Sequence, residues 1–129
     1  MTDGSFISYV SATDFAATLG RLRGAVTGRA LTIFAEVDHA AGAAEVGLVL
    51  RPTTVVIFGN ARGGTPLMQA AQSMGLDLPL KMLVWEDAAG KVWVGYRDIA
   101  WLAKLHGVDA PAVPRLAEAL AAIATEAAR

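Results

Sequence analysis

An α+β domain is the fold the sequence predicts: a mixed or antiparallel sheet packed by helices, with an extra helix at the C-terminus. Three observations predict it. A chain of 129 residues lies in the range of one domain with one core. Segments of strand-like and helix-like hydrophobic period alternate in the order β-α-β-(α)-β-α-β-β-α, and a further helix follows. The last two strands flank Asp87-Ala88-Ala89-Gly90 closely enough to form a hairpin, which an antiparallel pair allows. A flavodoxin-like α/β sheet is the alternative, because an apolar strand, a loop and a helix start follow one another from Thr53 to Gln69.

The elements follow in chain order. Phe6–Val10 is a short β-prone run. Ser11 and Asp14 stand at capping-box spacing ahead of Phe15, Leu19, Leu22 and Val26, which recur at helical intervals, and Gly28 suits a left-handed closing residue. From Ala30 to Asp38 the pattern alternates. Leu31, Ile33, Ala35 and Val37 fall on one face and Thr32, Glu36 and Asp38 on the other, as in a half-buried strand. His39–Gly47 suits a short helix weakened by Gly42. Thr53–Gly59 is β-branched and apolar at successive positions, which predicts an interior strand covered on both faces. Thr65 as cap and Pro66 as first helical residue open the next helix, with Leu67, Ala70, Ala71 and Met74 as its stripe and Gly75 as its stop. Pro79–Glu86 and Lys91–Tyr96 form the hairpin, turning at Gly90. Asp98 caps a helix that points Ile99, Leu102 and Leu105 inward and ends at Gly107. Beyond Pro111 and Pro114, Leu116, Leu120, Ile123 and Ala127 share one side of a last helix, which reads as a semi-independent appendage over residues 111–129 of a single domain, 1–129.

Composition narrows the function classes. Hydrophobic residues make up 54% of the chain, mean hydropathy is +0.44 and only 18% of residues are charged, so apolar surface is expected to be hidden in a homodimer. Eleven basic and twelve acidic residues give a net charge of −1 without blocks of either sign, which argues against a nucleic-acid surface. The absence of cysteine excludes disulfides, a thiolate nucleophile and a cysteine-held metal. Met1–Val10 lacks the basic and apolar regions of a signal peptide, and charged residues break every hydrophobic run well short of a span. The expectation is a soluble, cytoplasmic protein.

A family pattern emerges from Val37 onward. Asp38-His39, Arg51-Pro52-Thr53, Gly59-Asn60, Gly64-Thr65-Pro66-Leu67-Met68 and Leu78-Pro79-Leu80 together resemble the domain-of-unknown-function 302 family of small bacterial and archaeal proteins, over roughly residues 5–107. The resemblance implies an α/β domain that tends to dimerise and brings no established reaction. Members often carry Pro and Lys where Ala61 and Arg62 stand, so this chain keeps the cation on a looser turn.

Two segments attract chemical interest. Gly59–Thr65 joins a strand to a helix, and helix N-termini favour anions. Gly63 and Gly64 would let a ligand approach the backbone, Arg62 would add a planar donor fork, and Asn60 would hydrogen-bond. The segment fits neither G-x-x-x-x-G-K-[ST] nor G-x-G-x-x-G, so it carries no nucleotide fingerprint and no cofactor is implied. The structural alternative is that the glycines make the turn and Thr65 caps. The second segment is Asp38-His39. His39 could serve as a general acid or base, with Glu36, Glu45 or a residue across an interface as its partner. Adjacent strand residues point oppositely, so Asp38 suits better the cap of the following helix. The expected site is therefore a small anionic ligand held between Gly59–Thr65 and Asp38-His39. Enzymatic turnover by His39 is one alternative, and a homodimeric interaction module without catalysis is another. His39 and His106, in no ligand spacing, make no metal site. Ser8, Ser11 and Ser73 stand in no G-x-S-x-G elbow, and no base is placed near them by spacing. Trp85 and Trp93 read as cross-strand neighbours.

Overall fold

A computed structural model describes residues 5–129. Met1–Gly4, part of the stretch tested above for a signal peptide and of the 1–129 domain, lie outside the described residues. The elements are β1 (Phe6–Val10), α1 (Phe15–Thr27), β2 (Thr32–Asp38), α2 (His39–Glu45), β3 (Thr53–Gly59), α3 (Ala61–Ala70), a 3-10 turn (Gln72–Leu76), β4 (Leu80–Glu86), β5 (Val92–Arg97), α4 (Ile99–Leu105) and α5 (Ala112–Ala127). The strands form one five-stranded sheet in the order β1-β5-β4-β3-β2. Every neighbouring pair is antiparallel. The fold is α+β, and the flavodoxin-like alternative is ruled out.

One face of the sheet carries the core. Val56 and Phe58 of β3, Met82 and Val84 of β4 and Val94 of β5 are all fully buried on it. Against them pack Leu22 and Val26 of α1 and Leu120 and Ile123 of α5. Fully burying aliphatic side chains of this size stabilises by roughly 1.5–3 kcal/mol each, so these contacts outweigh any single polar interaction in the chain. The helix α5 lies inside this core and packs along α1, so it is not the appendage that Pro111 and Pro114 suggested. Its apolar stripe is long enough to complete a layer rather than hang from it.

Several local expectations are corrected. The Thr53–Gly59 run is an inner strand but is covered on one face only: Thr54, Val56 and Phe58 are buried, whereas Thr53, Val55 and Ile57 are half-exposed. β2 lies at the sheet edge, and a bulge between Ile33 and Ala35 breaks its alternation. Ile33 therefore pairs with buried Phe58, while Ala35 and Val37 pair with Ile57 and Val55 on the opposite face. Asp14 alone caps α1, accepting from the Ala17 N–H at 2.8 Å, so Ser11 is not its cap. Gly28 stays right-handed at φ −66°, and the left-handed residue after α1 is Ala30 at φ 60°. Leu105 points outward rather than into the core.

The hairpin forms as its turn chemistry demands. Asp87 accepts the N–H groups of Ala89 and Lys91, each at 2.9 Å, and the Trp93 indole N–H at 2.9 Å. The indole bond is the main reason the Asp87 carboxyl is held below its usual range. Trp85 and Trp93 pair across the strands and stack with ring centroids 6.2 Å apart. Gly95 lies between Phe6 and Trp85, where a Cβ would come within 2.6 Å of the Phe6 ring, so only glycine lets both rings close over the strand.

Arg23 of α1 and Glu36 of β2 form a two-pronged ion pair, with contacts of 2.7 and 2.8 Å. The hydrogen bond from Arg23 holds the Glu36 carboxyl below its usual range, and Arg23 is raised in return. A carboxyl depressed in the folded state stabilises above its unfolded pKa of about 4.3 and loses that contribution as pH falls through the folded value. Both side chains are partly solvated, so the pair contributes no more than about 1 kcal/mol. Glu36→Gln is expected to lower stability by up to about 1 kcal/mol at pH 7 in urea unfolding, and the gap from wild type is expected to close below about pH 4.

Candidate functional site

The expected glycine-rich loop is the first turn of a helix. Asn60 is the N-cap of α3, and its Oδ1 accepts the Gly63 N–H at 2.7 Å. Asparagine is among the strongest N-caps, and that bond starts the helix four residues before Thr65. Pro66 consequently falls inside α3, where it offers no N–H to the Arg62 carbonyl. The helix stops at Ala70 because Ala71 turns extended, before the Gly75 that was expected to end it.

A cavity of about 250 Å³ opens beside this turn. Gly59, Asn60, Gly63 and Gly64 form one wall of it, and Leu78-Pro79-Leu80 forms another. Phe34, Met68 and Leu116 complete an apolar lining. Gly63 fits closely under the cap, since a Cβ there would sit 3.1 Å from Asn60 Oδ1, whereas a Cβ on Gly64 would meet Leu78 at an ordinary 3.5 Å. Arg62 and Thr65 are exposed and do not line the cavity. The polar character of the pocket therefore comes from the Asn60 amide and from the first N–H groups of α3, which have no partner within the helix.

Asp38 and His39 are not part of this pocket. Gly59 pairs with Thr32 and Thr54 with Asp38, so the Asp38-His39 pair stands at the opposite end of β2. Six residues of strand separate the two ends, roughly 20 Å. Asp38 caps α2 through the Ala41 N–H at 2.9 Å, as its position suggested. His39, the first residue of α2, is exposed, and Glu36 is engaged by Arg23 instead. The two segments that the sequence suggested as one site are thus two places on the molecule. Among the described residues, no group of three or more His, Cys, Asp or Glu is placed to hold a metal ion.

One polar cluster escaped the sequence. Ser73 Oγ lies 2.8 Å from His106 Nδ1, and His106 Nε2 lies 2.5 Å from Asp77 Oδ2. Thirty-three positions separate Ser73 from His106, so no local spacing could reveal the contact. The only sequence signal was the presence of all three side chains near the ends of helical segments.

A family model described as "Domain of unknown function DUF302" matches residues 7–127. The chain belongs to the DUF302 family. The match runs through α5, well past residue 107, where the motif resemblance ends. A crystal structure of an uncharacterised conserved DUF302 protein from Bacillus stearothermophilus superposes with a TM-score of 0.87 over 96% of this chain and 98% of that one. At 17% sequence identity this likeness speaks for the fold alone. The chain is also 43% identical over 106 residues to the fluoride-specific ion channels FluC 1 of Brucella suis biovar 1 (strain 1330) and FluC 1 of Brucella abortus biovar 1 (strain 9-941). Those residues are 82% of this chain but only 42% and 39% of the channels, so the DUF302 chain spans about two fifths of their length. No helix among its described residues is long and apolar enough to cross a membrane.

Asn60→Ala is expected to destabilise the protein by about 1 kcal/mol through loss of the α3 cap, with Asn60→Asp retaining most of the stability. Chemical denaturation of the two variants checks this.

Proposed function

We propose that this DUF302 chain is a binding module for a small, mainly apolar molecule with one carboxylate or carbonyl end. The observation that carries the proposal is convergence. Gly59-Asn60, Gly64, Met68 and Leu78-Pro79-Leu80, which come from separate stretches of the family pattern, all line the one 250 Å³ cavity. An apolar lining with a few directed polar groups is the usual character of a small-molecule site. The apolar body would rest on Phe34, Met68 and Leu116, and the polar end would face Asn60 and the start of α3, where a negative charge is favoured. This keeps the anionic end of the expected ligand and moves recognition away from Arg62 and His39. In proteins such as the Brucella channels, a part of this kind would supply recognition beside the portion that conducts. The cytoplasmic setting expected from the sequence belongs to the same proposal, and cell fractionation checks it.

The test is a thermal-shift screen of the protein against short fatty acids, aromatic carboxylates and their amides. A ligand at a hundred times its Kd stabilises by about 2.7 kcal/mol, which raises Tm by several degrees in a domain of this size. Leu116→Trp, which fills the cavity, is expected to abolish the shift, and His39→Ala is expected to leave it intact. A shift that survives Leu116→Trp and disappears with His39→Ala would place the site elsewhere.

A second observation favours self-association. The sheet face opposite the core carries Phe6, Val55, Leu83, Trp85 and Trp93, and the segment Val46–Leu50 beside it is exposed throughout, Val49 completely. Leu50 and Trp85 border one shallow depression, so the segment and the sheet face are continuous. Contiguous apolar surface on this scale marks an interface, and a homodimer joined through the open face would cover it. Leu83→Lys is expected to convert a dimer to a monomer in light scattering after size exclusion. A wild-type protein that is monomeric at high micromolar concentration would refute the dimer.

A further inference from the structure

We propose that Ser73, His106 and Asp77 form an acyl-transfer site, with Ser73 as nucleophile, His106 as general base and then acid, and Asp77 as a positioning residue. The proposal goes beyond the binding site described above and involves different residues. It stands on the order of the hydrogen bonds. A carboxylate only accepts, so the 2.5 Å contact with Asp77 assigns the imidazole proton to Nε2. Nδ1 then presents its lone pair to the Ser73 hydroxyl 2.8 Å away. That is the relation of nucleophile, base and orienting group that activates a serine, recognised by geometry and not by sequence order.

The surroundings suit the roles. The His106 side chain is only 12% exposed, while Ser73 lies on the surface, so the base is sheltered and the nucleophile is accessible. Next to the two supporting residues stand Leu76, 84% exposed, and Leu105, 62% exposed. Asp77, Trp101, Leu102 and Leu105 border one groove of about 440 Å³ at the end of the open sheet face. Of the three residues Asp77 alone lines that groove, so an apolar acyl group on Ser73 would rest on the exposed Leu76 and Leu105, which points to esters or thioesters of short apolar acids as the substrate class.

The chemistry balances with water as the only co-reactant. Ser73 Oγ attacks the acyl carbon while its proton passes to His106 Nδ1. The bond from that carbon to the leaving oxygen or sulfur breaks, and the leaving group takes the proton from Nδ1. Water then attacks the acyl-serine, giving its proton to Nδ1, and the Ser73 oxygen departs and is reprotonated. The products are a carboxylic acid and an alcohol or thiol.

The alternative for the same three residues is a purely mechanical tie between the 3-10 turn and the end of α4. Both outcomes are distinguished by treating the full chain with an alkyl fluorophosphonate and mapping the adduct by peptide mass spectrometry, alongside hydrolysis of p-nitrophenyl butyrate. We expect one adduct on Ser73, none in Ser73→Ala, and labelling and hydrolysis slowed about a hundredfold in His106→Gln. Circular dichroism of Ser73→Ala, an exposed substitution, is expected to match wild type. Asp77→Asn is expected to slow labelling without removing the adduct. No adduct at Ser73 in the folded protein, labelling no faster than at Ser11, or labelling unchanged in His106→Gln would each overturn the proposal.

Discussion

The pairing of β2 with β3 decides where everything else can be. Thr32 sits across from Gly59 and Asp38 across from Thr54, so the two ends of one short strand lie at opposite margins of the sheet. The start of α3 is delivered to one margin and the start of α2 to the other. Backbone hydrogen bonds hold this arrangement in both strands, and a one-residue slip of β2 would turn Ile33, which packs against the core beside Phe58, to the other face. No side-chain preference at either margin competes with that cost.

A second constraint follows from the first. An antiparallel sheet needs only one covered face, and here α1 and α5 cover the face that holds Val56, Met82 and Val94. The other face would ordinarily be polar. In this chain it carries aromatic and aliphatic residues interrupted by Lys81 and Arg97, so the apolar composition is divided between a core and a surface. The polar chemistry is pushed to the edges and ends: Asn60 at the start of α3, and Ser73, Asp77 and His106 where the 3-10 turn meets α4.

Element order and type were legible because each segment carries a strong local signal. Asp98 caps where short-range rules place it, and Gly90 turns the hairpin with φ 81°. Two features hid from the sequence for physical reasons. An apolar run such as Thr53–Gly59 reads the same whether its outer face meets helices or is left half-exposed. The helix start was misplaced because Thr65-Pro66 and Asn60 both carry start signals, and the stronger cap prevailed. Of the candidate site, the Gly59–Gly64 stretch was legible as a place where backbone lines a cavity. Its separation from His39 was not, since that depends on strand pairing, and neither was the contact of Ser73 with His106, which depends on how the 3-10 turn meets the end of α4.

The aromatic residues on the open face give the protein an optical property. All three tryptophans, Trp85, Trp93 and Trp101, border that face or the groove at its end, and none lines the cavity beside Asn60. Trp93 donates its indole N–H to Asp87, which fixes its ring against Trp85. Intrinsic fluorescence is therefore a one-sided gauge. Whatever covers the open face changes the emission, whereas a molecule entering the cavity behind the sheet leaves it dark to that signal. The two surfaces can be followed separately in one sample, by emission for the first and by heat or mass for the second.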